Sequence, residues 1–190
     1  GAHDEGAVHV VCPKLPFKWN KRNDVDDLTK KLATKIVENF DLRENSRYEE
    51  VILAGHSAGG VVAQAVCLRL ATEHKVNVSR FRLVLIAPIT RGWEISNHYP
   101  LSQKVASRLG LILVPLIDLP FRLVSLLRGG TYSGHWIYQM RKGAPFIVNL
   151  RLRWLAFEKE RRPTIFIFLG TVDEIVSWRD MVDKAIHSER

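Results

Sequence analysis

Leu53-Ala54-Gly55-His56-Ser57-Ala58-Gly59-Gly60 is the stretch that decides the fold. The residues leading into it, Val51-Ile52-Leu53-Ala54, are all apolar, as a buried strand is. The residues leaving it, 61–72 (VVAQAVCLRLAT), are apolar nearly throughout and imply a largely buried helix. Between the two, Gly55, Gly59 and Gly60 permit a sharp turn from strand to helix. The pattern G-x-S-x-G is short enough to arise by chance, but a strand running in and a helix running out are the context that a nucleophile elbow requires. In such a turn Ser57 holds a strained backbone and lifts its Oγ above the carboxyl edge of the sheet. Gly55 and Gly59 are expected to flank it because a Cβ two residues to either side would meet the neighbouring strand and helix. His56, inside the turn, is expected to pack beside it. The Ala58 N–H, at the helix start, points towards an oxyanion developing on an attacked carbonyl. A phosphate-binding turn is the competing reading of these glycines. The lysine of a P-loop is missing at its spacing, and neither Rossmann glycine pattern fits.

Before the turn, Val25, Leu28, Leu32, Ile36 and Phe40 recur at intervals of three and four, the spacing of one helical face. Asp24, Asp26 and Asp27 crowd the start of that helix, where its dipole favours negative charge. Further back, residues 8–12 (VHVVC) form a short apolar run stopped by Pro13 and Pro16, which predicts a buried strand. Beyond the elbow helix, residues 81–87 (FRLVLIA) predict a strand ended by Pro88, and residues 164–169 (TIFIFL) a further strand after Pro163. Residues 178–186 then carry a final amphipathic helix. Strands alternating with helices indicate an α/β fold, a mostly parallel sheet with helices on both faces. From residue 90 to about 163 the rhythm breaks, with Gly129-Gly130 and four prolines before Pro163. The chain therefore reads as a single domain over 1–190 with a helical cap insertion at about 90–163.

The chain is 190 residues long, 46% apolar and 25% charged, which excludes collagen-like, disordered and coiled-coil classes. Cys12 and Cys67 are too few for a disulfide scaffold. Both lie in apolar runs and are expected to be small buried thiols. No cysteine–histidine cluster suggests a metal, and nothing requires a cofactor. Residues 90–163 hold 12 Lys/Arg against 4 Asp/Glu, so this segment carries the whole net charge of +8. A basic segment this rich in Leu, Ile, Val and Trp, without a nucleic-acid motif, suits an anionic lipid surface or an anionic substrate better than nucleic acid. Arg141, Lys142, Arg151, Arg153, Arg161 and Arg162 are its nearest approach to a cluster, expected to make peripheral, reversible contact. Residues 109–127 are long enough to raise a spanning helix, but Pro115, Asp118, Pro120 and Arg122 interrupt them. Without a signal peptide the expected location is cytoplasmic, at most peripheral to a membrane.

On the Gly55-His56-Ser57-Ala58-Gly59 elbow and the element order around it, the chain resembles the α/β-hydrolase superfamily, from the run at Val8 to the helix ending near Ile186. The resemblance implies a serine hydrolase cleaving a small-molecule carboxylic ester by an acyl-enzyme route, as an esterase or lipase does. It also implies that Leu169-Gly170-Thr171-Val172-Asp173-Glu174 presents Asp173 as the acid of the triad, with Glu174 second choice. In that family the histidine follows the acid, usually well beyond it, so it is expected past Arg190. His187 is expected to face away from Ser57, and His3, His9, His74, His98 and His135 precede Asp173, against the order Ser…Asp…His. The second oxyanion donor is expected before Gly1, so both ends of the fold look cut. The cap, with Arg91-Gly92-Trp93, Trp136 and Trp154, occupies the place of a lid and could line an apolar acyl pocket. The alternative is a non-catalytic module that uses the same cleft to bind a ligand or partner.

Overall fold

Among the described residues three strands, β1 (Val51–His56), β2 (Phe81–Ile86) and β3 (Thr164–Phe168), form a parallel sheet in that order. The computed structural model describes residues 8–15, 24–40, 42, 48–93 and 136–169. The register pairs Leu53 with Leu83 and Leu83 in turn with Ile165, and likewise Gly55 with Leu85 and Leu85 with Ile167. Because side chains alternate along a strand, these residues share one face with Val51 and Phe81, and that face adjoins the core.

Helix α2 (Ala58–Thr72) packs on β1 and β2 and is buried without interruption from Gly60 to Ala71. A helix apolar on every side needs cover all round. Here α1 (Val25–Asn39) and α4 (Pro145–Ala156) supply it, both packing on α2. Ile147, Leu150 and Trp154 of α4 enter the same core, where Trp154 meets Phe157 edge-on at 6.0 Å between ring centroids. The short α3 (Trp136–Gln139) adjoins α4.

The start of α1 is capped as its aspartates suggest: Asp24 Oδ1 accepts from the N–H groups of Asp26 and Asp27, at 2.8 and 3.3 Å. The face differs from the apolar spacing. Its fully buried line is Val25, Thr29 and Ala33, with Leu32, Ile36 and Phe40 half-buried beside it. The reason lies on α2, where Arg69 is buried. Its Nε donates to Thr29 Oγ1 at 3.1 Å, Nη2 reaches Asp26 Oδ1 at 2.5 Å, and Nη1 reaches Glu73 Oε1 at 2.5 Å. Arg153 of α4 meets the same Glu73 oxygen at 3.3 Å, so one network joins all three helices. Arg69→Met is expected to cost about 1–3 kcal/mol, less than the roughly 3–5 kcal/mol for breaking a fully buried pair. The discount follows from Asp26, whose side chain is 62% exposed and can be rehydrated. The urea midpoint measures it; an unchanged midpoint would show the network to be decorative.

Several expectations need correction. Residues 8–12 form no strand and are exposed, Val8 by 85% and Val10 by 83%. A strand needs a ladder partner, and none of the described residues offers one; His9 instead sets its ring edge-on to Tyr48. Cys12 is therefore exposed, whereas Cys67 is buried in α2 as expected. The runs VILA and TIFIF are buried on one face only. Ile52, Ile86, Phe166 and Phe168 line the opposite face and stay exposed among the described residues.

Residues 94–135, the bulk of the expected cap, lie outside the described residues, as does the helix expected at 178–186. The segments flanking 94–135 are stitched together. The Trp93 N–H donates to Met140 O at 3.1 Å, and the Lys142 N–H to Trp93 O at 3.0 Å. Gly92 makes the approach possible: it has φ +81°, and a Cβ there would lie 2.5 Å from Lys142 N. Helix α4, within the expected insertion, packs on α2 and shares its core.

Candidate active site

Strand β1 ends at His56 and α2 begins at Ala58, leaving Ser57 alone to make the turn. Its φ of 52° and ψ of −121° lie in a region that L-residues rarely occupy, at a cost of about 1–3 kcal/mol. Ser57 is also the N-cap of α2, yet its side chain makes no capping hydrogen bond. A serine cap normally takes an extended backbone and contributes about 1 kcal/mol. This one forgoes that gain and adds strain. The half-buried hydroxyl is thereby kept from the helix it precedes.

The turn is held from two sides. The Ser57 N–H donates to Ile86 O at 2.9 Å, extending the β1–β2 ladder by one residue, and the Gly60 N–H donates to Ser57 O at 3.0 Å. A Cβ on Gly55 would lie 2.3 Å from Gly59 O and 2.7 Å from Gly60 N, so the strand end and the first helical turn touch backbone to backbone. Gly59 departs from expectation, because a Cβ there meets nothing within 4 Å. The second crowded glycine is Gly60, where a Cβ would lie 2.8 Å from Pro88 Cβ. The helix rotates about 100° per residue, which carries position 59 away from the strand and turns position 60 onto the segment leaving β2.

Ala58 opens α2, so its N–H has no acceptor within the helix. Together with the positive end of a 15-residue helix it provides a donor for negative charge beside Ser57. His56 does not pack beside the turn; its side chain is exposed, on the sheet face opposite α2. Asp173, Glu174 and His187 lie outside the described residues.

A family model described as the alpha/beta hydrolase family matches residues 1–189. The chain belongs to this family. No curated protein matches the chain. In this alpha/beta hydrolase Ser57 lies between β1 and α2 at the carboxyl edge of the sheet, with α2 on the face opposite His56.

Some of the other residues expected at the site or in the cap make contacts within the fold. Trp154 is wholly buried in the core, while Trp93 and Trp136 pack half-buried against that core. Of the basic cluster, Arg162 donates to Trp154 O at 2.7 Å and Phe157 O at 2.9 Å, capping the end of α4. Arg153 pairs with Glu73, and Arg161 with Glu158 at 3.6 Å. Among the described residues, no helix is long and apolar enough to cross a membrane, and no group of three or more His, Cys, Asp or Glu could hold a metal ion.

Burial pushes the Cys67 thiol up to about 12, so it is inert as a nucleophile near neutral pH. Titration of the native protein with a chromogenic disulfide at pH 8 is expected to consume Cys12 quickly and Cys67 only after denaturant is added. Rapid reaction of both thiols in the native state would contradict the burial of Cys67.

Proposed function

We propose that the protein is a serine hydrolase that cleaves a carboxylic ester through an acyl-enzyme intermediate. The observation that carries this reading is Ser57: an N-cap serine with φ of 52° and no capping bond, at the carboxyl edge of the sheet. In the proposed reaction its Oγ attacks the ester carbonyl, and a histidine that follows Asp173 in the chain takes the proton. Asp173 orients that imidazole and stabilises its positive charge. The carbonyl electrons move onto oxygen, where the Ala58 N–H donates to the oxyanion. Collapse expels the alcohol, which receives the proton from the imidazolium. Water then attacks the acyl-serine by the same steps, with the histidine again as base.

A fluorophosphonate probe tests this reading in the intact protein. Labelling is expected on the peptide that contains Ser57, and competition by a family of acyl esters would rank the acyl groups accepted. Labelling that survives Ser57→Ala would sink the assignment. Complete absence of labelling would favour the non-catalytic binding module, since that reading needs the cleft but not an activated hydroxyl.

A further inference from the structure

We propose that Ala87 is a positioning residue for the serine, holding the peptide that ties the nucleophile turn to the strand preceding Asp173; this rests on the hydrolase reading above. Three non-glycine residues have positive φ among those described: Ser57 at 52°, Lys75 at 58° and Ala87 at 42°. Lys75 lies just past the end of α2, where a left-handed residue is ordinary, and the next N–H, of Val76, returns to Leu70 O at 2.9 Å. Ala87 ends no helix. It follows β2 where Ser57 follows β1, and since His56 pairs with Ile86, the two left-handed residues leave neighbouring strands at the same level.

The peptide unit between Ile86 and Ala87 faces both ways. Its carbonyl accepts from the Ser57 N–H at 2.9 Å, and its N–H donates to Phe168 O at 2.8 Å. Phe168 ends β3, and Asp173 follows it five residues later. A peptide unit is rigid and planar. This one therefore sets the separation between the serine turn and the end of the strand from which the acid follows. The rotation about the Ala87 N–Cα bond determines how that plane meets the chain beyond it. There the chain is held, because Pro88 is buried and its Cβ lies against Gly60 at the start of α2. If φ at residue 87 moved to negative values, the plane would have to turn, withdrawing its oxygen from Ser57 or its N–H from Phe168.

A β-branched residue is strongly disfavoured at positive φ, whereas glycine takes that conformation freely. In the intact protein, Ala87→Val is expected to slow fluorophosphonate labelling and lower kcat at least about tenfold, towards the roughly 10²-fold that a misplacement of about 1 Å can cause. KM should change little, and Ala87→Gly should retain the parental rate. Rates are expressed per folded molecule, so a fall in thermal midpoint alone does not count. Parental kcat in Ala87→Val, or a rise in KM without loss of kcat, would overturn the positioning role. Should Ala87→Val fail to fold, Gly60→Ala presses the same segment through Pro88. The same kcat loss is then expected, restored by adding Pro88→Gly, and absence of restoration overturns the proposal. Ser57→Ala runs alongside: labelling that persists there defeats the hydrolase reading, and the Ala87 role with it. Loss of labelling there with parental rates in Ala87→Val defeats Ala87 alone.

Discussion

Ser57→Gly is expected to give a protein that is more stable than the parent and catalytically dead. Two opposing terms decide the stability. Relief of a left-handed φ is worth about 1–3 kcal/mol, and the extra freedom of an unfolded glycine costs about 0.5–1 kcal/mol. No capping bond is lost, since the Ser57 side chain makes none. The net expectation is a gain of about 1 kcal/mol, read as a higher thermal midpoint. Ser57→Ala, which keeps the φ of 52° and removes only the hydroxyl, should show no such gain. Both variants should lose ester hydrolysis by a factor approaching the roughly 10⁶ found when a serine nucleophile is removed from a complete triad. Stability rising as activity vanishes is the signature of strain kept for function. Retention of activity within tenfold of the parent in either variant would mean that Ser57 is not the nucleophile. A lower midpoint for Ser57→Gly would mean that the turn is not strained.

The second large effect separates two glycines that the motif treats alike. Gly55→Ala places a Cβ 2.3 Å from Gly59 O and 2.5 Å from Gly59 C, atoms of main chain that have no rotamer to change. Overpacking costs about 1–3 kcal/mol, occasionally more, and a clash of the strand end with the main chain of the first helical turn belongs at the upper end. Relaxation can come only by parting β1 from α2, which moves the nucleophile, so kcat should fall by about 10²-fold in the molecules that remain folded. Gly59→Ala meets nothing within 4 Å and lies inside a helix, where alanine is favoured over glycine by about 0.5–1 kcal/mol. Its midpoint should equal or exceed that of the parent. Parallel denaturant titrations of the two variants, with active-site titration of the folded fraction, make the comparison. Equal destabilisation by both substitutions would contradict the geometry of the turn.

Local chemistry was enough to reveal much of this protein. The strand-turn-helix around Ser57, the helices beginning near Val25 and Ala58, and the strands at residues 81–87 and 164–169 all follow from periodicity, proline stops and caps. These are short-range properties, carried by the residues that express them. Asp24 caps α1 with N–H groups two and three residues away, and Pro88 ends β2 wherever that strand lies. The elbow was legible because strand, glycines, serine and helix are contiguous.

What the chain alone could not decide were the relations between distant segments. Residues 8–12 have the composition of a strand, yet a strand exists only with a ladder partner, and among the described residues they find none. VILA and TIFIF imply cover on both faces, but which face receives α2 depends on how the crossovers pack, not on the runs themselves. Thr29 lies on the buried line of α1 where Arg69, forty residues beyond it, places its guanidinium. Gly60 rather than Gly59 is the crowded glycine because Pro88 comes against it from another strand. Ala87 looked like the last residue of an apolar run. Only the pairing of β1, β2 and β3 turned its peptide into the link between Ser57 and Phe168, since a hydrogen bond across a sheet is set by register, and register is a property of the folded chain.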